Sequence, residues 1–106
     1  MTQADRASLL RRIAGRVDEI PQVVRRSGGA VGVVAAYLPG ERITGLRVTN
    51  DQRLQLHVVM ASGSTVDELE SQVLAAIGGL WSDGPIDLTV DDIEDLPAAA
   101  LDTPTG

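Results

Sequence analysis

The 106-residue sequence contains no cysteine, no phenylalanine and no lysine, and it has one tryptophan, one tyrosine and one histidine. The absence of cysteine excludes disulfide bonds, thiolate metal ligands and a cysteine nucleophile. A core with so few aromatic rings must be built from valine, leucine, isoleucine and alanine, which predicts a small core and marginal stability. The length accommodates one compact domain.

Charge is distributed unevenly along the chain, which carries nine basic and fifteen acidic residues for a formal net charge of −6. Residues 1–53 contain all nine bases, which are arginines, and five acids, for a charge of +4. Residues 54–106 contain ten acids and no base, for a charge of −10. Nucleic-acid affinity comes mostly from cations that neutralise phosphates, so the second half is not expected to bind nucleic acid. Two surfaces of opposite charge would instead favour head-to-tail self-association that weakens with salt.

Apolar runs in the sequence are short. None reaches the ~20 residues that a membrane-spanning helix needs. Asp5 and Arg6 stand where the apolar core of a secretory leader would lie. We therefore expect a cytoplasmic protein that does not insert directly into a membrane.

Apolar residues recur at helical spacing in the first twenty residues. Leu9, Ile13 and Val17 lie at intervals of four, which places them on one side of a helix. Pro21 ends this helix because proline disfavours the helical conformation of the residue before it. The arginines on the other side are interpreted as a solvated helix face.

A second helix is predicted after Thr65, because Thr65 and Glu68 have the spacing of a capping box. Acids in its first turn also interact favourably with the helix dipole. Its apolar stripe consists of Val66, Leu69, Val73, Ile77 and Leu80. Trp81 follows the helix and is interpreted either as a residue that closes the core or as an exposed anchor for a partner.

Strand patterns dominate the segment between the two helices. Residues 33–38 form a β-type run, and Pro39 and Gly40 then occupy the central positions of a type II turn. The next run covers residues 42–49, within which Gly45 marks a bulge or a weak point.

The strongest strand signal lies in residues 54–60, where Leu54, Leu56, Val58 and Met60 alternate with Gln55, His57 and Val59. Their connection to the preceding run through a polar turn predicts an antiparallel hairpin. Residues 86–90 alternate in the same way and predict a final strand.

The predicted order is helix, antiparallel strands, helix and strand. This order defines an α+β two-layer sandwich with both helices on one face of the sheet. Residues 1–93 form this single domain. Residues 94–106 are acidic and rich in proline and alanine, so they are predicted to be a disordered tail.

The sheet face away from the helices is predicted to be polar. It would carry Arg47, Thr49, Gln55, His57, Asp87, Thr89 and Asp91. Such a face is either simply solvated or a docking surface, and the pattern does not distinguish the two. The candidate partner surface consists of Tyr37, Arg42, Arg47, Gln55, His57, Trp81 and Asp87, and the glycine-rich residues 28–32 are the alternative docking site.

Catalytic chemistry would have to involve His57, the one imidazole, which is predicted to pair with Asp87 or Asp91. An open sheet face offers no pocket that excludes water, so a solvated strand histidine is the preferred interpretation. The acids of residues 91–95 lack the glycine turn of a calcium loop. The glycine-rich residues 27–32 precede a strand instead of a helix, which argues against a phosphate site. We predict no enzyme activity, no catalytic residue, no metal and no cofactor.

Several motifs together point to a family. They are the Tyr37-Leu38-Pro39-Gly40 turn, residues 42–48, the Leu56-His57-Val58-Val59 strand, the helix over residues 66–77 and the closing residues 86–93. As a set they resemble the alkaline-shock-protein family of envelope stress response proteins of Gram-positive bacteria, especially its short actinobacterial members. The resemblance implies a non-enzymatic cytoplasmic scaffold that self-associates and is held near the inner membrane face by a membrane-anchored partner. It brings no catalytic residue and no cofactor.

Two other functions stay open at the level of sequence. Helices combined with antiparallel strands are compatible with a small KH-like module that binds RNA or a nucleotide, although stacking aromatics and a Gly-x-x-Gly loop are missing. An enzymatic function would depend on His57 alone.

Overall fold

The computed structural model describes residues 3–29 and 34–96. In chain order the elements are α1 (Gln3–Asp18), β1 (Val23–Arg26), β2 (Ala35–Leu38), β3 (Glu41–Thr44), β4 (Leu46–Val48), β5 (Leu54–Ala61), α2 (Val66–Ile77) and β6 (Ile86–Glu94). The predicted α+β class and the order of helix, strands, helix and strand are confirmed.

Strand β5 is the centre of the main sheet. β6 pairs with it in parallel along its whole length, from Leu54 opposite Ile86 to Ala61 opposite Glu94. The other edge of β5 is shared, because β4 is antiparallel to its first part and β1 to its later part. β2 and β3 form a separate antiparallel hairpin. The fold therefore combines a parallel β5–α2–β6 unit with antiparallel hairpins.

Both helices contribute to one core on one face of this sheet. The alternation in β5 buries Leu54, Leu56, Val58 and Met60 in that core. The helices contribute Leu10, Ile13, Ala14, Val17, Leu69, Val73 and Ile77. Val66, which the sequence places in the apolar stripe of α2, is instead 47% exposed. It is the first residue of the helix, and the buried contacts begin one turn later at Leu69.

Gly45 separates β3 from β4 and confirms the predicted break in this run. Its φ is +87°, in the region that favours glycine. A Cβ at this position would lie 2.8 Å from the Cβ of Arg26 and 2.9 Å from the backbone oxygen of His57. The Gly45 N–H donates to the carbonyl of Val34 at 2.8 Å, and its own carbonyl accepts from His57 at 2.9 Å. The chain thus leaves β2 and joins β5 at this one residue.

Alanine at position 45 is predicted to destabilise the fold more than alanine at position 40. Gly40 also has positive φ, +79°, but a Cβ there would meet nothing within 4 Å. Both substitutions cost about 1–2 kcal/mol for the left-handed conformation. Gly45→Ala should cost a further ~1–3 kcal/mol because the added methyl group clashes with backbone. Urea unfolding measures the difference, and equal losses in the two variants would contradict the proposed steric cause.

Trp81 closes the core beyond the end of α2. It is 3% exposed and belongs to the core cluster, so the core interpretation is confirmed. The interpretation of Trp81 as an exposed partner anchor is wrong, because the ring is buried. The Arg6 guanidinium lies over this ring, 5.0 Å from its centroid. The indole N–H is buried without a hydrogen-bond partner among the described residues.

Replacement of Trp81 separates the contribution of the ring from that of its N–H group. Trp81→Ala removes a buried ring and should lower the free energy of unfolding by about 3–5 kcal/mol. Trp81→Phe keeps an aromatic ring under Arg6 and removes the unpaired donor, so its loss should stay below about 1.5 kcal/mol. Urea unfolding followed by far-ultraviolet circular dichroism measures both. A phenylalanine variant as unstable as the alanine variant would contradict this account of the site.

The end of the domain lies slightly beyond the predicted boundary. β6 includes Glu94, and the Glu94 carbonyl accepts a hydrogen bond from the Ser62 N–H at 2.8 Å. The rest of the predicted tail from residue 97 onward lies outside the described residues, as do residues 30–33 of the glycine-rich segment. Neither α1 nor α2 has the length and hydrophobicity needed to cross a membrane, and residues 3–29 and 34–96 contain no other helix.

Candidate functional site

Three ion pairs connect β6 to the rest of the sheet on its polar face. The paired residues are Arg53 with Asp87 at 3.1 Å, His57 with Asp91 at 3.1 Å, and Arg25 with Glu94 at 2.7 Å. We call them the β6 ion pairs. Each joins a cationic or ionisable nitrogen from β1, from β5 or from the turn before β5 to a carboxylate of β6. The polar face predicted from the sequence is therefore internally paired along this strand.

His57 lies at the centre of this face and is held on several sides. Its Nδ1 is 3.1 Å from both carboxylate oxygens of Asp91, which is one of the two partners predicted from the sequence. Its side chain is only 19% exposed, so the interpretation of His57 as a solvated strand histidine is wrong. The glycine-rich segment passes close by, since a Cβ on Gly29 would lie 3.9 Å from Nδ1. Among the described residues, no group of three or more histidine, cysteine or acidic side chains is arranged to hold a metal ion.

Arg25 and Glu94 lie on opposite sides of β5, because β1 and β6 pair with its two edges. Their bidentate contact therefore crosses β5 near Val59 and Ala61, which are 2% and 4% exposed. Val59 alternates with the core residues of β5 and is nevertheless buried. Hydrogen bonding by Arg25 holds the pKa of Glu94 below its ordinary value, and the same contact raises the pKa of Arg25.

The predicted partner-surface residues fall into two groups apart from Trp81. Arg47, Gln55 and Asp87 form one row across the sheet. Arg47 of β4 is opposite Gln55 of β5, and Gln55 is in turn opposite Asp87 of β6. His57 follows in the next row. Tyr37 and Arg42 are opposite each other in the β2–β3 hairpin.

An open cleft of about 640 Å³ lies between α1, β2 and β4. Its lining is Arg6, Leu10, Ala35, Ala36, Tyr37, Leu38, Arg47 and Val48, and we call it the arginine cleft. Tyr37 is 72% exposed beside it. Arg47 makes no ion pair with any residue in the described part of the chain. The cleft thus combines an apolar lining with two guanidinium groups and an exposed phenol ring.

Arg6 is a residue of this cleft that the sequence reasoning missed. Its Nη2 lies 3.3 Å from Asp83 and 3.4 Å from the Gln52 side-chain oxygen, while its guanidinium covers Trp81. The partners are far apart in sequence, so no local pattern points to them. The position of this arginine on the apolar side of α1 is the one sequence feature that could have indicated a partly buried contact. Arg6 is therefore positioned by the fold, whereas Arg47 is free to contact a partner.

Comparison of the chain with protein-family models, with curated proteins and with solved structures finds no match. The alkaline-shock resemblance therefore rests on its sequence motifs.

The contact between Arg25 and Glu94 predicts a pH dependence of stability. Because the pKa of Glu94 is lower in the folded chain than its ordinary value, the pair stabilises the fold above that ordinary value. The contribution is lost as the pH falls through the lowered folded-state pKa. Glu94→Gln should therefore reduce the fall in urea midpoint between about pH 7 and about pH 3.

The matched control is Glu19→Gln, which removes an exposed acid that makes no ion pair within residues 3–29 and 34–96. This variant should keep the pH dependence of the unaltered chain. An equal change of urea midpoint with pH in the Glu94→Gln variant and the unaltered chain would show that the Arg25–Glu94 pair does not contribute to the pH dependence of stability.

Proposed function

We propose that this chain is a non-enzymatic interaction module of the envelope stress response type, held at the inner membrane face by a membrane-anchored protein partner and able to self-associate. The observation that carries the proposal is the arginine cleft, with its exposed Tyr37 and its unpaired Arg47. Tyrosine and arginine are enriched among the residues that dominate binding energy at protein interfaces. The motif resemblance to the alkaline-shock-protein family supports the same function.

The state of His57 favours binding over catalysis. A general base needs a free nitrogen within reach of a substrate proton and a site that excludes water. Asp91 engages Nδ1 and leaves Nε2 as the nitrogen that could act as a base, but His57 lines neither the arginine cleft nor the groove between α2 and β6. The residue therefore fits a structural contact on the sheet better than a catalytic centre.

The charge of the chain favours a protein as the means of membrane attachment. A net charge of −6 opposes adsorption to the anionic lipids of an inner leaflet. The arginine cleft contains only two of the nine arginines, and one of them, Arg6, is paired with Asp83. A partner protein that presents an acidic or phenol-binding segment to Arg47 and Tyr37 fits the chemistry of the cleft. Attachment through such a protein does not require the negatively charged chain to adsorb to anionic lipid.

Reversal of charge at Arg47 tests the cleft. We expect Arg47→Glu to reduce the fraction of the full chain that sediments with membranes of the producing cell by about threefold or more. Arg12→Glu is the matched control, because it makes the same charge change at an exposed α1 arginine outside the cleft. The control should sediment like the unaltered chain.

Protease treatment of the membranes before mixing should abolish sedimentation, because the partner is a protein. Sedimentation velocity at low and high salt measures self-association separately. Equal losses of sedimentation in the Arg47→Glu and Arg12→Glu variants would show that the cleft is not part of the interface with the partner. An unaltered chain that never sediments with membranes and stays monomeric would contradict the proposed function itself.

A further inference from the structure

Strand β6 forms one edge of the main sheet. It is nine residues long and, within the part of the chain that the structure describes, it pairs with β5 alone. Its outer edge therefore has backbone donors and acceptors without a strand partner. Proteins usually protect such an edge with a covering element, a bulge or charged side chains. β6 has a register shift beside Asp91 and several acids, but no described element covers it.

The side chains of β6 form two distinct rows. On the helix side, Ile86, Leu88, Val90 and Ile93 are opposite the buried residues of β5. On the polar side lie Asp87, Thr89, Asp92 and Glu94. The register shift after Val90 preserves both rows, because it makes Asp91 the extra residue. A strand added to this edge would therefore meet one apolar row and one polar row. In the polar row Asp87 and Glu94 are paired with Arg53 and Arg25, and Asp92 is the acid without an ion pair among the described residues.

The backbone of β6 presents its free N–H groups at the apolar positions. Leu54 donates to Pro85, and Ser62 donates to Glu94. In a parallel ladder this pattern turns the N–H groups of Asp87 and Thr89 toward β5 and those of Leu88 and Val90 outward. The Ile93 N–H agrees with this assignment, because it bonds the carboxylate of Asp92 at 2.8 Å instead of β5.

Exposed apolar side chains continue from this edge onto α2. Leu74 is 60% exposed and Ile93 is 56% exposed. Between α2 and β6 lies a shallow groove of about 60 Å³, lined by Glu70, Val73, Leu74, Ile86 and Leu88. An added strand would cover these apolar atoms and remove them from water.

A second copy of the chain fits this edge poorly. Two β6 strands related by a twofold axis would bring their Asp92 carboxylates onto the same face without a base between them, and like charges that face each other across strands are destabilising. Neither β6 nor the adjoining α2 contains a base. The occupant must instead bring positive charge to the polar side and apolar side chains to the helix side.

We infer that the β6 edge binds an extended protein segment in which basic and apolar residues alternate. The segment adds to the sheet as a further strand through the free N–H and carbonyl groups of β6. Its basic side chains face the polar row, where one of them reaches Asp92, and its apolar side chains face Leu88, Val90 and Leu74. Cross-strand pairs of opposite charge and of apolar groups both stabilise such an addition.

The source of this segment follows from the proposed function, on which this step rests. Segments that flank a membrane span on the cytoplasmic side are enriched in lysine and arginine. A membrane-anchored partner therefore carries the required charge next to its span. The β6 edge is suited to this segment, and the arginine cleft on the other side of β5 stays open.

A nine-residue peptide that alternates lysine and valine, with blocked ends, is the probe. Fluorescence anisotropy with the full chain should show binding that weakens as salt rises. The peptide with glutamate in place of lysine should not bind measurably. A peptide of the same composition with its valines grouped together should bind at least about threefold more weakly, because the two rows are no longer matched.

Two substitutions at Val90 separate the contribution of its backbone N–H to peptide binding from that of its side chain. Val90→Pro removes an outward N–H that β5 does not use, and Val90→Ala removes a similar part of the side chain but keeps the N–H. The proline variant should bind the lysine peptide about tenfold more weakly than the alanine variant. Asp92→Asn should weaken binding about threefold, whereas Glu19→Gln should leave it unchanged.

If Val90→Pro does not fold, hydrogen exchange at the backbone amides of the unaltered chain tests the inference instead. The lysine peptide at saturation should slow exchange at Leu88 and Val90, and the glutamate peptide should not. Unchanged exchange at both amides would overturn the inference. Dimerisation of the chain alone that Val90→Pro abolishes would overturn it in favour of a second copy.

The two proposals fail in different ways. Peptide binding at β6 by a chain that neither sediments with membranes nor self-associates supports the edge assignment and contradicts the proposed function. Sedimentation on membranes without any binding of the lysine peptide contradicts the edge assignment and leaves the proposed function intact.

Discussion

Three strands must pair with β5, although a strand has only two edges. β6 occupies one edge completely, so β4 and β1 share the other, and the exchange between them takes place at His57. There the His57 N–H donates to Gly45 and its carbonyl accepts from Ser27, at 2.9 and 2.8 Å. The close approach of Arg26 leaves no space for a Cβ at position 45. The continuity of the sheet therefore depends on one glycine with positive φ.

The same exchange creates the surfaces on which the proposed function depends. Because the chain turns at Gly45, β4 leaves the β2–β3 hairpin and the arginine cleft opens between β2 and β4. Because β1 ends beside His57, the following segment with Gly29 passes near the imidazole.

Local patterns predicted much of this fold, because their causes lie within a few residues. The capping box is one example: the Thr65 hydroxyl accepts from the Glu68 N–H at 3.1 Å. The alternation in β5 and the break at Gly45 are others. The parallel partner of β5 could not be predicted, because alternation is the same in parallel and antiparallel strands. The Arg25–Glu94 pair spans 69 residues and depends on that pairing, so the burial of Val59 beneath it was also unpredictable.

The uneven charge of the sequence is partly neutralised inside the fold. Three arginines of the first half pair with acids of the second, in the contacts Arg6–Asp83, Arg25–Glu94 and Arg53–Asp87. Among residues 3–29 and 34–96, the charged groups without an ion pair differ between the two edges of the sheet, with Arg47 on the β4 side and the carboxylates of Asp92 and Glu70 on the β6 side. β5 separates these edges, so occupation of one does not block the other. Contacts between copies through both edges would extend without closure, whereas one partner that brings segments of opposite charge to the two edges forms a bounded assembly. The separation of the remaining charges therefore agrees better with the proposed membrane-anchored partner than with a chain that only polymerises.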